Sequence, residues 1–217
     1  MTPRVKVCGI TRIEDAVLAS ELGASAIGFV FWPRSPRFVE PETARAIAAA
    51  MPASLVCVGV FVDQDAAYVR QTAAHVHLGA VQLHGRESVA FATSLMEPVI
   101  KAVPVRAGFV PELLDLLPAS ITVLLDAHDP ERHGGTGRTI DWNVAAQAAT
   151  RRPVMLAGGL TPGNVRDAIQ TVRPYAIDVS SGVESSPGVK DPARLRALFD
   201  AITDLSATPD HKGRAYD

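Results

Sequence analysis

Residues 153–182 read PVMLAGGLTPGNVRDAIQTVRPYAIDVSSG. Two short apolar runs, PVMLAGG and YAIDVSSG, each close on a small, glycine-bearing turn, and a helix-period segment opened by Thr161-Pro162 lies between them. Near-continuous hydrophobic runs of this kind are strands covered on both faces, as in a parallel sheet, and not the half-exposed alternation of an antiparallel one. The same unit recurs outward from here. RVKVCG from Arg4, SAIGFVF from Ser25, LVCVGVFV from Leu55, GAVQLHG from Gly79, PVIKAV from Pro98 and ITVLLDA from Ile121 bring the strand count to eight. Between them, Thr11 with Glu14 predicts a capping box, Gly23 a helix end, Pro41 a helix start, and Asp191-Pro192 the start of the last helix. Eight βα units at roughly 27 residues each predict one small (β/α)8 TIM barrel over residues 1–205, with a polar, flexible tail over 206–217. The rival is a doubly wound open sheet, which has fewer strands and a glycine fingerprint after the first; this chain has CGIT there.

Composition narrows the function. The chain has 217 residues, 47% hydrophobic and 20% charged, and its formal net charge of −2 comes without a Lys/Arg stripe, so no nucleic-acid partner is expected. Ala46 to Val62 carries no charge, yet Pro52 divides it into an Ala-rich helix and a β-branched strand, so no membrane segment is expected. Two cysteines and an N-terminus without an apolar leader point to a cytoplasmic protein. A monomer or a homodimer fits equally.

In a barrel of this type the chemistry sits where strands end. Cys8-Gly9, His84-Gly85, Lys101, Asp126, Gly158-Gly159 and Ser180-Ser181-Gly182 occupy those ends. The paired glycine turns after strands 7 and 8 predict a phosphate cradle built from backbone N–H groups and helix starts; ordinary tight turns are the alternative. Cys8 and Asp126 would face each other across the mouth, a thiol and a carboxyl suited to base and acid work on a sugar phosphate. Cys57, mid-strand, reads as inert core. Arg37, or else Arg34, could clamp a carboxylate. GGTG at Gly134 to Gly137 reads as a loop over the mouth. His75 and His77 have metal-like spacing but precede strand 4, at the end opposite the site, and no metal is expected.

As an ordered set, KVCGIT, SPR at Ser35 to Arg37, VGVFV, QLHG, LLD, GGTG followed by DW, LAGGL, and DVSSGVE with PGVKD resemble the phosphoribosylanthranilate isomerase family of tryptophan biosynthesis, over about residues 4 to 203. Ile140 stands where that family often has Phe, and Arg86 where an acidic residue is frequent. The resemblance implies an Amadori rearrangement of N-(5-phosphoribosyl)anthranilate without metal or organic cofactor. It implies Asp126 as the acid that opens the furanose ring and Cys8 as the base that takes the C2′ proton. The substrate-binding set it implies is Arg37 on the anthranilate carboxylate, Gly158, Gly159, Ser180, Ser181 and Gly182 around the phosphate, with His84, Gly134 and Gly135 near the mouth and no required role for His84. A metal-dependent epimerase would need ligands at several strand ends, where only His84 qualifies. A non-catalytic binder would have lost Cys8 or Asp126, and a bifunctional relative would carry two Asp residues.

One expectation comes from strand alternation alone. Lys6 shares the inward face with Cys8, and Asp178 with Ser180, so the two charges are predicted to pair inside the barrel beneath the thiol.

Overall fold

Each of the eight apolar runs forms a strand: β1 (Arg4–Cys8), β2 (Ala26–Val30), β3 (Val56–Phe61), β4 (Ala80–Leu83), β5 (Val99–Val105), β6 (Thr122–Ala127), β7 (Val154–Leu156) and β8 (Ala176–Val179). They close in sequence order into a parallel barrel in which β1 pairs with both β2 and β8, which excludes the open sheet. The structure, a computed structural model, describes residues 2–106, 108–127 and 140–207; Gly134, Gly135 and the tail beyond 207 lie outside them.

Strand alternation sorts the side chains into two cores. On β6, Val123 and Leu125 point outward into the layer shared with the helices, whereas Leu124 points inward to join Val58, Ile100, Met155 and Ala176 in the barrel's lower interior. Cys8, Val30 and Val60 form a smaller apolar patch at the mouth. Cys57 faces the helices, where burial pushes its thiol up to about 11, consistent with inert packing.

The helices depart from the regular pattern where longer-range contacts outcompete local signals. Helix α1 (Ile13–Glu21) has Arg12 at its N-cap and no capping box. The Thr11 hydroxyl donates instead to the Gly188 carbonyl at 2.5 Å, joining the first and last loops. Helix α2 (Pro41–Ala49) opens on its proline as expected, and α3 (Ala66–Val76) is capped by the Asp65 carboxylate accepting from Tyr68 N–H. The next helix, α4 (Val89–Thr93), is one short turn, and the fifth unit has only a 3₁₀ helix over Pro111–Leu116. PELLDL between Pro111 and Pro118 is too short for several α turns, so the expected eight-fold βα regularity fails there. Arg152, at the end of α5 (Trp142–Arg151), fastens that unit by donating to the carbonyls of Leu114, Leu117, Pro118 and Ile121.

Helix α6 (Val165–Val172) starts later than Thr161-Pro162 suggests, because Asn164 closes the preceding turn: its Oδ1 accepts from Thr161 N–H and its Nδ2 donates to the Gly159 carbonyl. Between β8 and α7 (Pro192–Ala207) a hairpin of β9 (Glu184–Ser186) and β10 (Val189–Lys190) is inserted, which the strand count had not included; Pro187-Gly188 makes its turn. Asp191 caps α7 as expected. Asp15 of α1 accepts from the Lys190 backbone N–H and from the Arg12 guanidinium, locking the hairpin across the barrel seam. Among the described residues, no helix is long and apolar enough to cross a membrane.

Candidate active site

A cavity of about 390 Å³ opens at the C-terminal ends of the strands, and Cys8, Asp126, Arg37 and His84 all line it. Cys8 ends β1 and Asp126 lies at the end of β6, so the barrel sets them on non-adjacent strands facing one space. Gly158, Gly159, Ser180, Ser181 and Gly182 line the same cavity. The predicted set therefore converges, apart from Gly134 and Gly135, which fall outside the described residues.

The two glycine turns are built for close approach. Gly158 and Gly159 both have positive φ, 86° and 64°. A methyl on Gly182 would sit 2.8 Å from the Leu160 carbonyl carbon and overlap its oxygen outright, so only glycine lets the turn after β8 lie against the turn after β7.

Asp126 is 7% exposed and fully partnered on one side: its Oδ1 accepts from Ala127 N–H at 2.8 Å, and its Oδ2 lies 3.0 Å from His84 Nε2. His84 Nδ1 in turn lies 2.9 Å from Gln82 Nε2. With the Gln82 amide nitrogen donating to Nδ1, the ring proton sits on Nε2, directed at the carboxyl. Sequence reasoning quoted Gln82 without a task for it; its task is to orient His84, which in turn orients Asp126.

Arg37 is held by a partner that the sequence had not suggested. Its Nε and Nη2 donate to the Glu184 carboxylate at 2.7–3.1 Å, while Nη1 donates to no described residue and remains available at the cavity wall. Arg34 also lines the cavity but stacks over the Trp32 ring at 5.6 Å. Burial would push Glu184 up, yet Arg37 and Lys190 hold its carboxyl below the ordinary range. Lys190 is fully buried and commits its three protons to the Cys8 carbonyl (2.6 Å), Glu184 (2.8 Å) and the Ser180 carbonyl (3.4 Å). Glu184 and Lys190 were missed because the hairpin that buries them is two short strands of polar sequence; two charges six residues apart across a Pro-Gly turn were the available signal.

Beneath Cys8, Lys6 Nζ donates to Asp178 Oδ1 at 2.8 Å, and the two residues are register partners across β1 and β8, as strand alternation predicted. Burial alone would pull the Lys6 ammonium down, but Asp178 and Cys8 beside it hold it above the usual lysine range. Burial also pushes the Asp178 carboxyl up against the pull of Lys6; the short contact and the lysine's direction both describe a charged pair. Burial pushes the Cys8 thiol up as well, with Lys6 and Lys190 pulling it back. His75 and His77 lie away from all of this, His75 against Glu42 on the surface and His77 closing α3.

The chain matches the model of a family described as N-(5'phosphoribosyl)anthranilate (PRA) isomerase over residues 5–201. It is 50% identical over 200 residues to the N-(5'-phosphoribosyl)anthranilate isomerase of Geobacter sulfurreducens, covering 90% of this chain and 96% of the relative. The crystal structure of phosphoribosyl anthranilate isomerase from Thermus thermophilus superposes with a TM-score of 0.86 at 44% identity, over 93% of this chain and 99% of that one. A phosphoribosyl anthranilate isomerase solved with reduced 1-(o-carboxyphenylamino)-1-deoxyribulose 5-phosphate superposes with a TM-score of 0.83 at 40% identity, over 94% and 100%.

Proposed function

Since the chain belongs to the N-(5'-phosphoribosyl)anthranilate isomerase family, we propose that its rearrangement is carried by Cys8 as general base and Asp126 as general acid. The chain is an isomerase of tryptophan biosynthesis, converting N-(5-phosphoribosyl)anthranilate to 1-(2-carboxyphenylamino)-1-deoxyribulose 5-phosphate. The observation that carries the assignment of roles is the convergence of Cys8 and Asp126, from different strands, on one cavity that is also lined by the pair of glycine turns after the two strands between them.

Asp126 gives its proton to the furanose ring oxygen; the C1′–O bond breaks and the nitrogen lone pair forms the protonated Schiff base. The Asp126 carboxylate left behind is met by the Ala127 N–H and the His84 Nε2–H, so charge develops where donors already point. The Cys8 thiolate removes the C2′ proton, and that C–H electron pair neutralises the iminium, giving an enolamine that tautomerises to the ketone. Arg37, through its available Nη1, holds the anthranilate carboxylate. Gly158, Gly159, Ser180, Ser181 and Gly182 seat the phosphate.

The partner is a small phosphorylated molecule, taken up by a monomer or a homodimer. Residues 1–205 act as one domain, a reading supported by the closure of all eight strands in sequence order into one barrel. The two free, buried thiols support a cytoplasmic setting.

The test follows the loss of anthranilate fluorescence with freshly made substrate. Cys8→Ser keeps the size but cannot ionise near neutral pH, and Asp126→Asn keeps the shape without the proton. Each should lower kcat by about 10² to 10⁴ while product-analogue binding survives. Turnover within a few fold of the parent in either variant would remove that residue from its role.

A further inference from the structure

The charges around Cys8 are more than structure requires. A buried ion pair such as Lys6–Asp178 can be replaced by packed apolar groups of similar volume at little cost in stability, so stability alone does not account for one at the barrel's centre. Its placement is specific. A methyl on Gly28 of β2 would meet Cys8 Sγ at 2.9 Å and Lys6 Nζ at 3.1 Å, so this glycine leaves the space in which sulfur and ammonium approach each other.

The groups facing the thiol come from every neighbouring element. Lys6 stands below it on β1, Asp178 beside Lys6 on β8, and Lys190 on β10, with Glu184 and Arg37 beyond; β2 contributes Gly28 and Val30, which carry no charge. Across the cavity lie Asp126 and His84. In the cluster around the thiol, Lys6, Lys190 and Arg37 are balanced by Asp178 and Glu184 only in part. Ionising Cys8 supplies the missing negative charge.

We propose that Lys6 is a positioning residue for proton abstraction: its ammonium, clamped by Asp178, is the counter-charge on which the Cys8 thiolate forms. This rests on the reading of Cys8 as base. Asp178 fixes the ammonium by its 2.8 Å contact, and Lys190, spent on two carbonyls and Glu184, cannot move to replace it. Burial works against a buried thiolate, and Lys6 is the largest opposing influence.

The test compares the parent with Lys6→Met, Lys6→Arg and the double variant Lys6→Met/Asp178→Leu. Two readouts are taken against pH: kcat/KM, and the rate of iodoacetamide alkylation at Cys8 followed by peptide mass. Lys6→Met strands the Asp178 charge and should lose stability; the double variant removes both charges and should recover much of the urea midpoint. Despite that recovery, the double variant should show both profiles moved to higher pH by about one unit or more, and activity near neutral pH lower by about tenfold. Lys6→Arg, which keeps the charge, should restore part of the shift. Unmoved alkylation and kcat/KM profiles in the double variant would overturn the proposal. A shifted alkylation profile with an unmoved kcat/KM limb would overturn Cys8 as base, and with it the catalytic meaning of the lysine.

Discussion

Replacing Gly182 by Ala adds one methyl at the point where the turns after β7 and β8 touch. That methyl would stand 2.8 Å from the Leu160 carbonyl carbon, against an ordinary carbon–carbon separation of about 3.5–4.0 Å, and its overlap with the carbonyl oxygen is worse. Leu160 is 2% exposed and its loop is pinned by the Asn164 bonds to Thr161 and Gly159, so the turn after β8 must do most of the yielding, by roughly 1 Å. Overpacking of this kind costs about 1–3 kcal/mol of stability, which a barrel of this size tolerates. The functional cost should be larger in proportion. If the two turns seat the phosphate, a 1 Å displacement of one of them lowers kcat/KM by about 10²-fold, close to 2.7 kcal/mol. The assay is fluorescence-monitored turnover together with competitive inhibition by inorganic phosphate, on protein whose circular dichroism and melting midpoint show it folded. Both substrate and phosphate should weaken. A variant with kcat/KM within threefold of the parent and unchanged phosphate inhibition would remove these turns from the phosphate site.

Arg37→Ala should raise KM by roughly 10- to 150-fold, the equivalent of a charge-assisted contact of about 1.5–3 kcal/mol, whereas Arg34→Ala should change it little; the reverse ranking would assign the carboxylate to Arg34. Glu184 has its folded-state carboxyl held below the usual 4.5, so its contribution to stability is present above that value and is lost as pH falls through the lower folded value. Urea midpoints for Glu184→Gln should therefore start lower at neutral pH and decline less steeply under acid than the parent's; parallel acid limbs would refute the coupling.

The strands were legible because a parallel barrel buries both faces of each, and burial on both faces writes itself as unbroken apolar runs such as ITVLLDA. The meeting of Cys8 and Asp126 at one cavity was legible for a related reason: a thiol or carboxyl ending such a run sits at a rim where few other polar residues compete for attention. Lys6 and Asp178 could be paired from alternation and the closure of strand 8 on strand 1, since both constraints are geometric and local. What escaped were contacts decided by distant chain. Nothing near Thr11 says that Gly188 will take its hydroxyl, so the capping-box signature misled. Likewise Arg37 reads as a free loop arginine until the hairpin delivers Glu184, and Gln82 reads as one polar residue in a strand until His84 folds over Asp126.

The pairing of β1 with β8 joins residues 172 apart in sequence at the Lys6–Asp178 contact. The surroundings of Cys8 are thus shared between the first strand of the barrel and the last, together with the hairpin that follows it. Until Asp178, Glu184 and Lys190 arrive, Lys6 has no counter-ion and the thiol no finished pocket, however well the intervening units have formed. Loop closure across that span is the slow, entropically costly part of assembling such a topology. Competence for catalysis is consequently acquired late and nearly at once, when the last barrel strand and its hairpin come to rest against the first strand.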